Sequence, residues 1–481
     1  MAHASEDREV QYLKIFDAIE KQDEYNEALL LKKFSEEGFS KQFSVAKNYL
    51  TFLILKSLVQ FHAAKNAKSQ VSRLLDFASV LYDKGFYKEC LSELGKAKKL
   101  AYKFDKHDYT LTIIKREKQL VAGMKNEKMN EDLQALLEEE HRVLESIKTE
   151  SELGYVYYNL LREIHYDRIR RSHVDLEELH RLRERISFIP ENHFSTFNCR
   201  NFYYGIETIY NYMVNNFERS EQYGKMHARL WYDNPDRFND ENNEFLEVYY
   251  HYLSSCFQTR NFTEISECLQ RIKDFNANTS DKMQRKFFIY YSLKLRYCAT
   301  LAKYTEAEQI LHEIETKIEE IEPILSADYH VTINLNCAIV YFVLDRYSDS
   351  LRWLNNYFNS FSKDIRKDIY SFARILNLML HYKLGNTELI EPIIKNTNRE
   401  LRRQSHIFNY EKVILDFIRW NSKSSNRKNG KAQLIEYQNK LNECLHDPLE
   451  RDAMRYFNFS RWIESEIKKV PYRELAEKEL K

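Results

Sequence analysis

The stretches that decide the fold are Leu301–Ala307 (LAKYTEA) and Leu344–Ser350 (LDRYSDS), 43 residues apart from Tyr304 to Tyr347. Each is a short polar turn, then an aromatic, then a charged helix start. The same signature stands at Lys84–Cys90 (KGFYKEC), Asn215–Glu221 (NNFERSE) and Thr259–Ile265 (TRNFTEI). Amphipathic stretches flank each copy. Downstream of Tyr304, Ala307, Ile310, Leu311, Ile314, Ile318 and Ile321 fall on one helical face, with Glu313, Glu315, Lys317 and Glu319 off it. One helix hairpin cannot bury such a stripe alone; stacking on the next hairpin does.

Working outward, the residues after the turns are Tyr87, Met129, Val174, Phe217, Phe262, Tyr304, Tyr347, Asn386 and Asn429, at intervals of 39 to 45 residues. The prolines check this register, because proline collects outside helix interiors. Pro190, Pro235, Pro323 and Pro448 fall 16 to 19 residues after an anchor, where the loop between hairpins belongs. Pro392 falls six after Asn386, so a delayed helix start is expected there. Thr149-x-x-Glu152 has the form of a capping box, and Ser280 and Ser326 precede aromatic-rich helices. Residues 421–431 read as an extended turn inside the last hairpin.

Composition agrees. Nine glycines and six prolines in 481 residues argue against β-rich folds and for long helices, and 34 Tyr with 29 Phe can fill a large interior. Lys+Arg and Asp+Glu balance at 73 each, which removes the simplest argument for nucleic acid or anionic membrane as the main partner. Seven widely spaced cysteines with no C-x-x-C read as small buried hydrophobes in a reducing compartment. No signal peptide is evident, and the most apolar run, Leu50–Val59, is too short to span a bilayer. The expected location is the cytoplasm.

The fold expected is all-α: a right-handed superhelical α-solenoid of about nine antiparallel hairpins. Residues 1–66 do not fit the repeat and read as a three-helix cap or docking module. Residues 67–465 form the array and 466–481 a tail helix. The run LTFLILKSLV at residues 50–59, apolar nearly all round, reads as core.

The repeat resembles the tetratricopeptide (TPR) superfamily. Over residues 71–100, Ala78 stands at the small position of the first helix, Gly85 and Tyr87 at the turn glycine and following aromatic, and Leu94 and Ala97 at second-helix packing positions. Ala307, Ala338 and Tyr341 match in later hairpins. The period of about 43 exceeds the family's 34, and the turn glycine persists only at Gly85 and Gly385, so the pattern is TPR-like. Through YLKIFDAIEKQDEY (residues 12–25) and KQFSVAKNYLTFLILKSL (residues 41–58), the chain also resembles uncharacterised bacterial proteins with a helical N-terminal segment and a TPR-like body.

Chemical motifs are scarce. No two glycines lie within ten residues, which excludes G-x-G-x-x-G, the P-loop and G-x-S-x-G, and there is no H-E-x-x-H. His165, His173 and His180 invite a metal reading, against polar-face histidines. Glu138–Glu140 and Glu319–Glu320 invite an acid/base reading, against a solvated helix face. Two basic clusters invite a phosphate or acidic-peptide reading, against the favoured one of ordinary surface: Arg168, Arg170, Arg171, Arg181, Arg183 and Arg185, diluted by Glu163, Asp167, Glu177, Glu178 and Glu184; and Arg399, Arg402, Arg403, Lys423, Arg427, Lys428 and Lys431.

The expectation is therefore a non-enzymatic scaffold without cofactor or metal, holding a peptide or helix of a partner protein in a concave groove. The resemblance implies particular first-helix positions for that groove, here Tyr250, Ser254, Gln258, Arg296, Arg374 and His381. The alternative is a signal-responsive regulator in which residues 1–66 bind nucleic acid as a helix-turn-helix, with Lys41, Gln42, Lys47 and Asn48 reaching bases, and the array senses a peptide.

Overall fold

The computed structural model describes residues 12–22, 25–35, 43–62, 66–123, 128–166, 173–190, 193–239, 244–360, 367–403, 407–423, 430–447, 450 and 457–480. They are all-helical, and successive helices pack in pairs as in a helical repeat. The chain folds as two compact units, residues 1–143 and 144–481.

The turn signature is a shared backbone device. The second helices begin at Tyr87, Phe217, Phe262, Tyr304 and Tyr347, so each aromatic is the first helical residue. Two residues earlier the backbone turns left-handed, at Gly85, Asn215, Arg260, Ala302 and Asp345, and again at Gly385. In every case the next N–H reaches the carbonyl five residues back: Phe86 to Leu81, Asn216 to Asn211, Asn261 to Cys256, Lys303 to Cys298, Arg346 to Tyr341 and Asn386 to His381, at 2.8–3.0 Å. This bond satisfies an otherwise orphan carbonyl at the helix end. Only two of the six turns use glycine. Asn215 and Asp345 tolerate the left-handed region through their short polar side chains, whereas Arg260 and Ala302 occupy it without that help, so glycine was a poor guide to the repeat.

Three hairpins share further details. Cys90 Sγ, Ser220 Oγ and Ser350 Oγ, each three residues after the turn aromatic, donate to the carbonyls of Ala78, Thr208 and Ala338 at 3.2, 2.7 and 2.6 Å. The aromatic itself meets a ring five residues earlier edge-on: Tyr82–Tyr87, Tyr212–Phe217 and Phe342–Tyr347. Small side chains at the crossing let the two backbones approach. These three hairpins pack more tightly than the Phe262 hairpin, where Leu253 and Ile265 stand at the same places.

In residues 1–143, one small core joins Ile15, Ala18, Leu30, Phe34, Phe43, Ala46 and Leu50, and a separate one lies within residues 71–120. The helix Phe43–His62 corrects the expectation of core for residues 50–59. Phe43, Ala46 and Leu50 face the neighbouring helices. Val45, Tyr49, Phe52, Leu55, Leu58 and Val59 are exposed, Val59 by 66%. An apolar run specifies burial only where a second surface is present to cover it.

The Thr149-x-x-Glu152 capping box is also overturned. One helix runs from Met129 to Tyr166, with Thr149 buried inside it. No proline interrupts that stretch, and good helix formers carry a helix through a cap-like sequence. Ser326 does cap, accepting from Tyr329 N–H, while Thr279 rather than Ser280 caps the helix Ser280–Thr300.

Proline behaves as expected at Pro190, in a loop, and at Pro235 and Pro323, in short 3₁₀ turns; Pro448 lies outside the described residues. Pro392 does not delay its helix, which starts at Thr387 and runs to Leu401. The ring is accommodated on an exposed face, and the helix simply lacks the bond that would close on the Glu388 carbonyl.

In residues 144–481 the first helices, Phe197–Met213, Glu244–Thr259, Ser280–Thr300, Ala327–Val343, Lys367–Lys383 and Asn409–Ser422, each pack against the next. Consecutive second helices come nowhere as close among the described residues. The residues read as a tail instead complete a last hairpin, Phe459–Lys468 and Tyr472–Leu480, turned at left-handed Lys469. It packs back on earlier hairpins. Tyr304 donates to the Arg473 carbonyl, Arg473 pairs with Asp345, and Lys383 with Glu466.

Candidate functional site

Because first helices crowd and second helices stand apart, recesses open between successive second helices. One of about 510 Å³ lies over the Lys367–Lys383 helix. Its floor is a stripe at helical spacing: Tyr370, Arg374, Asn377 and His381. One wall is Asn355 and Phe358 of Tyr347–Ser360; the other is Leu389, Pro392 and Ile393 of Thr387–Leu401. The helix with the proline gap in its hydrogen-bond ladder therefore borders the recess.

Arg374 is half-buried here. Its guanidinium lies 5.1 Å from the Phe358 ring and 5.0 Å from the Tyr370 ring, and its Nε donates to the Tyr370 hydroxyl at 3.0 Å. The two rings and the hydroxyl fix the plane of the guanidinium, and no carboxylate among the described residues pairs with it. His381 meets Asn386 through Nδ1 at 3.0 Å, and burial lowers its pKa from the ordinary value, which favours a neutral ring. Among the described residues of the lining there is no Asp or Glu.

The other groove candidates sit elsewhere. Tyr250 and Ser254 are each 8% exposed, wedged between consecutive first helices; Tyr250 meets Phe288, and Ser254 donates to the Tyr250 carbonyl. Packing has taken up the surface these two residues were expected to offer a partner, because neighbouring first helices approach too closely to leave a groove there. Gln258 and Arg296 are half-buried, with Arg296 stacked 4.2 Å from Phe257. The structure thus gathers Arg374 and His381 into one recess and leaves the remaining four out of it. Counting back from the turn found those two residues but not Asn355, Phe358, Asn377, Leu389 or Pro392. The polar 4-3-4 spacing of Tyr370, Arg374, Asn377 and His381, among the apolar residues of the helix centre, was the signal available.

Among the described residues, six members of the basic clusters pair with carboxylates. Arg181 pairs with Glu177, Arg185 with Glu152, and Arg183 with buried Glu207 at 2.8 Å. Arg399 and Arg403 share Glu400, and Lys423 pairs with Glu391. Arg402 lacks a carboxylate partner among the described residues. Arg168, Arg170, Arg171, Arg427 and Lys428 lie outside the described residues, as does the side chain of Lys431. His180 Nδ1 lies 2.7 Å from the Tyr210 hydroxyl, while the His165 and His173 side chains are outside the described set. Among the described residues no three His, Cys, Asp or Glu converge as metal ligands. Glu138, Glu319 and Glu320 are exposed, and Glu140 pairs with Lys118. All seven cysteines are buried and outside any disulfide; burial pushes Cys268 and Cys298 up to about 12, away from thiolate chemistry. No described helix is long and apolar enough to cross a membrane.

A buried polar knot lies in the Phe217 hairpin. Asn201 Nδ2 donates to Glu244 at 2.8 Å, which orients the amide, since a carboxylate only accepts. Asn201 Oδ1 then receives Trp231 Nε1 at 2.7 Å and His227 Nε2 at 2.8 Å. His227 must therefore carry its proton on Nε2. Burial depresses its pKa to about 3. The folded state keeps His227 neutral while the unfolded chain protonates near pH 6.5, so stability falls as pH drops from about 6.5 toward 3, by up to about 1.4 kcal/mol per pH unit. Urea midpoints of wild type and His227→Gln, compared at pH 6.5 and 5, should show the steeper loss in wild type. Equal slopes would mean that His227 accepts a proton in the folded state.

No family model matches the sequence, and no curated protein matches it.

Proposed function

We propose that the chain is a non-enzymatic interaction scaffold, a TPR-like right-handed α-solenoid that holds a peptide or helix of a partner protein. The observation that carries this reading is the uncovered face of Phe43–His62. Val45, Tyr49, Phe52, Leu55, Leu58 and Val59 are all exposed on this one helix, and soluble proteins seldom expose so many large apolar side chains together unless a partner covers them. The sequential hairpins support the same reading, because stacked pairs create extended surfaces and recesses. For the nucleic-acid alternative, Lys47 is held by Glu27 at 2.6 Å and Asn48 is exposed, while Lys41 and Gln42 lie outside the described residues; large exposed apolar side chains stand along the same helix, where base reading needs donors and acceptors.

The test is affinity purification of the full chain, with and without nuclease, beside a Phe52→Asp/Leu55→Asp variant. Both positions are exposed, so the variant should keep the wild-type thermal transition. A protein retained after nuclease treatment and lost from the variant supports the scaffold. Retention that ignores the variant, or recovery of nucleic acid alone, overturns this reading.

A further inference from the structure

We propose that the recess over Lys367–Lys383 is a binding site for a carboxylate side chain flanked by an aliphatic or aromatic residue, in an extended segment of a partner protein. The inference rests on the scaffold reading and specifies the chemistry of one of its sites.

Arg374 is a permanent cation, held half-buried without a carboxylate among the described residues. Elsewhere in residues 144–481, three half-buried arginines pair with carboxylates: Arg183 with Glu207, Arg285 with Glu247, and Arg461 with Glu479. A half-buried guanidinium that lacks its counter-ion gains from one supplied by a ligand. Phe358 and Tyr370 hold the group in place, so little ordering is needed when the ligand arrives. Its Nη1 is left unengaged by the contacts to Tyr370.

The number of charges selects the anion. One guanidinium beside a neutral imidazole and two amides matches a single negative charge. A phosphate dianion calls for several cations, and among the described residues of the lining Arg374 is the one cation. Asn355 and Asn377 make no hydrogen bond within the described residues, so their amides remain for the ligand's peptide groups. Phe358, exposed Leu389, Pro392 and Ile393 supply the apolar wall on which a neighbouring side chain would rest. A volume near 510 Å³, open along the helices, suits a few residues of chain better than a single buried group.

The experiment selects random phage-displayed peptides on the full chain. Enriched sequences are expected to share Asp or Glu next to Leu, Ile, Phe or Trp. A synthetic copy of the best peptide, acetylated and amidated so that only side-chain carboxylates remain, should bind wild type. It should lose about ten- to hundredfold in affinity with Arg374→Gln, or when its own acid is replaced by the amide. Leu389→Arg, at an exposed position, should block the apolar wall without removing Arg374. Unchanged thermal transitions show that both variants fold.

Enrichment without an acid, no enrichment, or binding indifferent to Arg374→Gln overturns the proposal. Binding that requires a free C-terminus overturns the side-chain assignment, and binding of 3-phenylpropionate without any peptide overturns the protein partner. Peptides that bind regardless of Arg374 leave the scaffold reading intact, and that reading fails only by its own purification test.

Discussion

Arg183→Ala is expected to lower the stability of residues 144–481 by about 3–5 kcal/mol. Glu207, 1% exposed, is the reason. Arg183 Nε and Nη2 both reach Glu207 Oε1, at 3.0 and 2.8 Å, while Asn211 Nδ2 reaches Oε2 at 3.1 Å. Removing the arginine strands a carboxylate away from water, with the Asn211 amide as its remaining side-chain hydrogen-bond partner among the described residues. The cost arises from that stranded charge more than from the lost attraction. Arg183→Ala combined with Glu207→Gln should therefore recover much of the loss. Equilibrium urea unfolding of the two variants decides the matter: if the double variant is no more stable than Arg183→Ala, Glu207 is not the source of the penalty.

Trp462→Ala is expected to cost about 3–5 kcal/mol and to loosen the last hairpin. The indole is fully buried, edge-on to Phe417 at 5.2 Å and to Tyr382 at 6.2 Å. Its Nε1 has no hydrogen-bond partner, so Trp462→Phe should lose far less, by keeping most of the apolar contact and sacrificing no bond. Because Glu466 holds Lys383 and Tyr382, and Arg473 meets Asp345 and Tyr304, release of this hairpin should also raise hydrogen exchange at residues 304, 345 and 382. Protection unchanged there would show that the earlier hairpins stand without it.

The two predictions show where sequence reading stops. Arg183 was legible as one of six clustered arginines available to a partner. Nothing local reveals that a carboxylate 24 residues onward takes it into the interior. Trp462 lies beyond the last turn anchor and carries no turn signature, so neither it nor the return of the last hairpin had a periodic signal. At the candidate recess, spacing supplied Arg374 and His381. The walls come from helices before and after, whose separation depends on how closely the first helices crowd.

What the sequence by itself determined is the local half of the fold: all-helical hairpins, second helices opening at Tyr87, Phe217, Phe262, Tyr304 and Tyr347, and buried cysteines. Turn geometry and the helical period act within a few residues and leave a readable imprint. Tertiary structure alone decided which apolar faces found a cover, that the helix from Met129 to Tyr166 is continuous, that Pro392 lies within a helix, and that Arg374 lacks a counter-ion among the described residues. Each depends on surfaces brought together from distant positions, where a neighbour's presence or absence fixes the cost of burying an apolar or charged side chain.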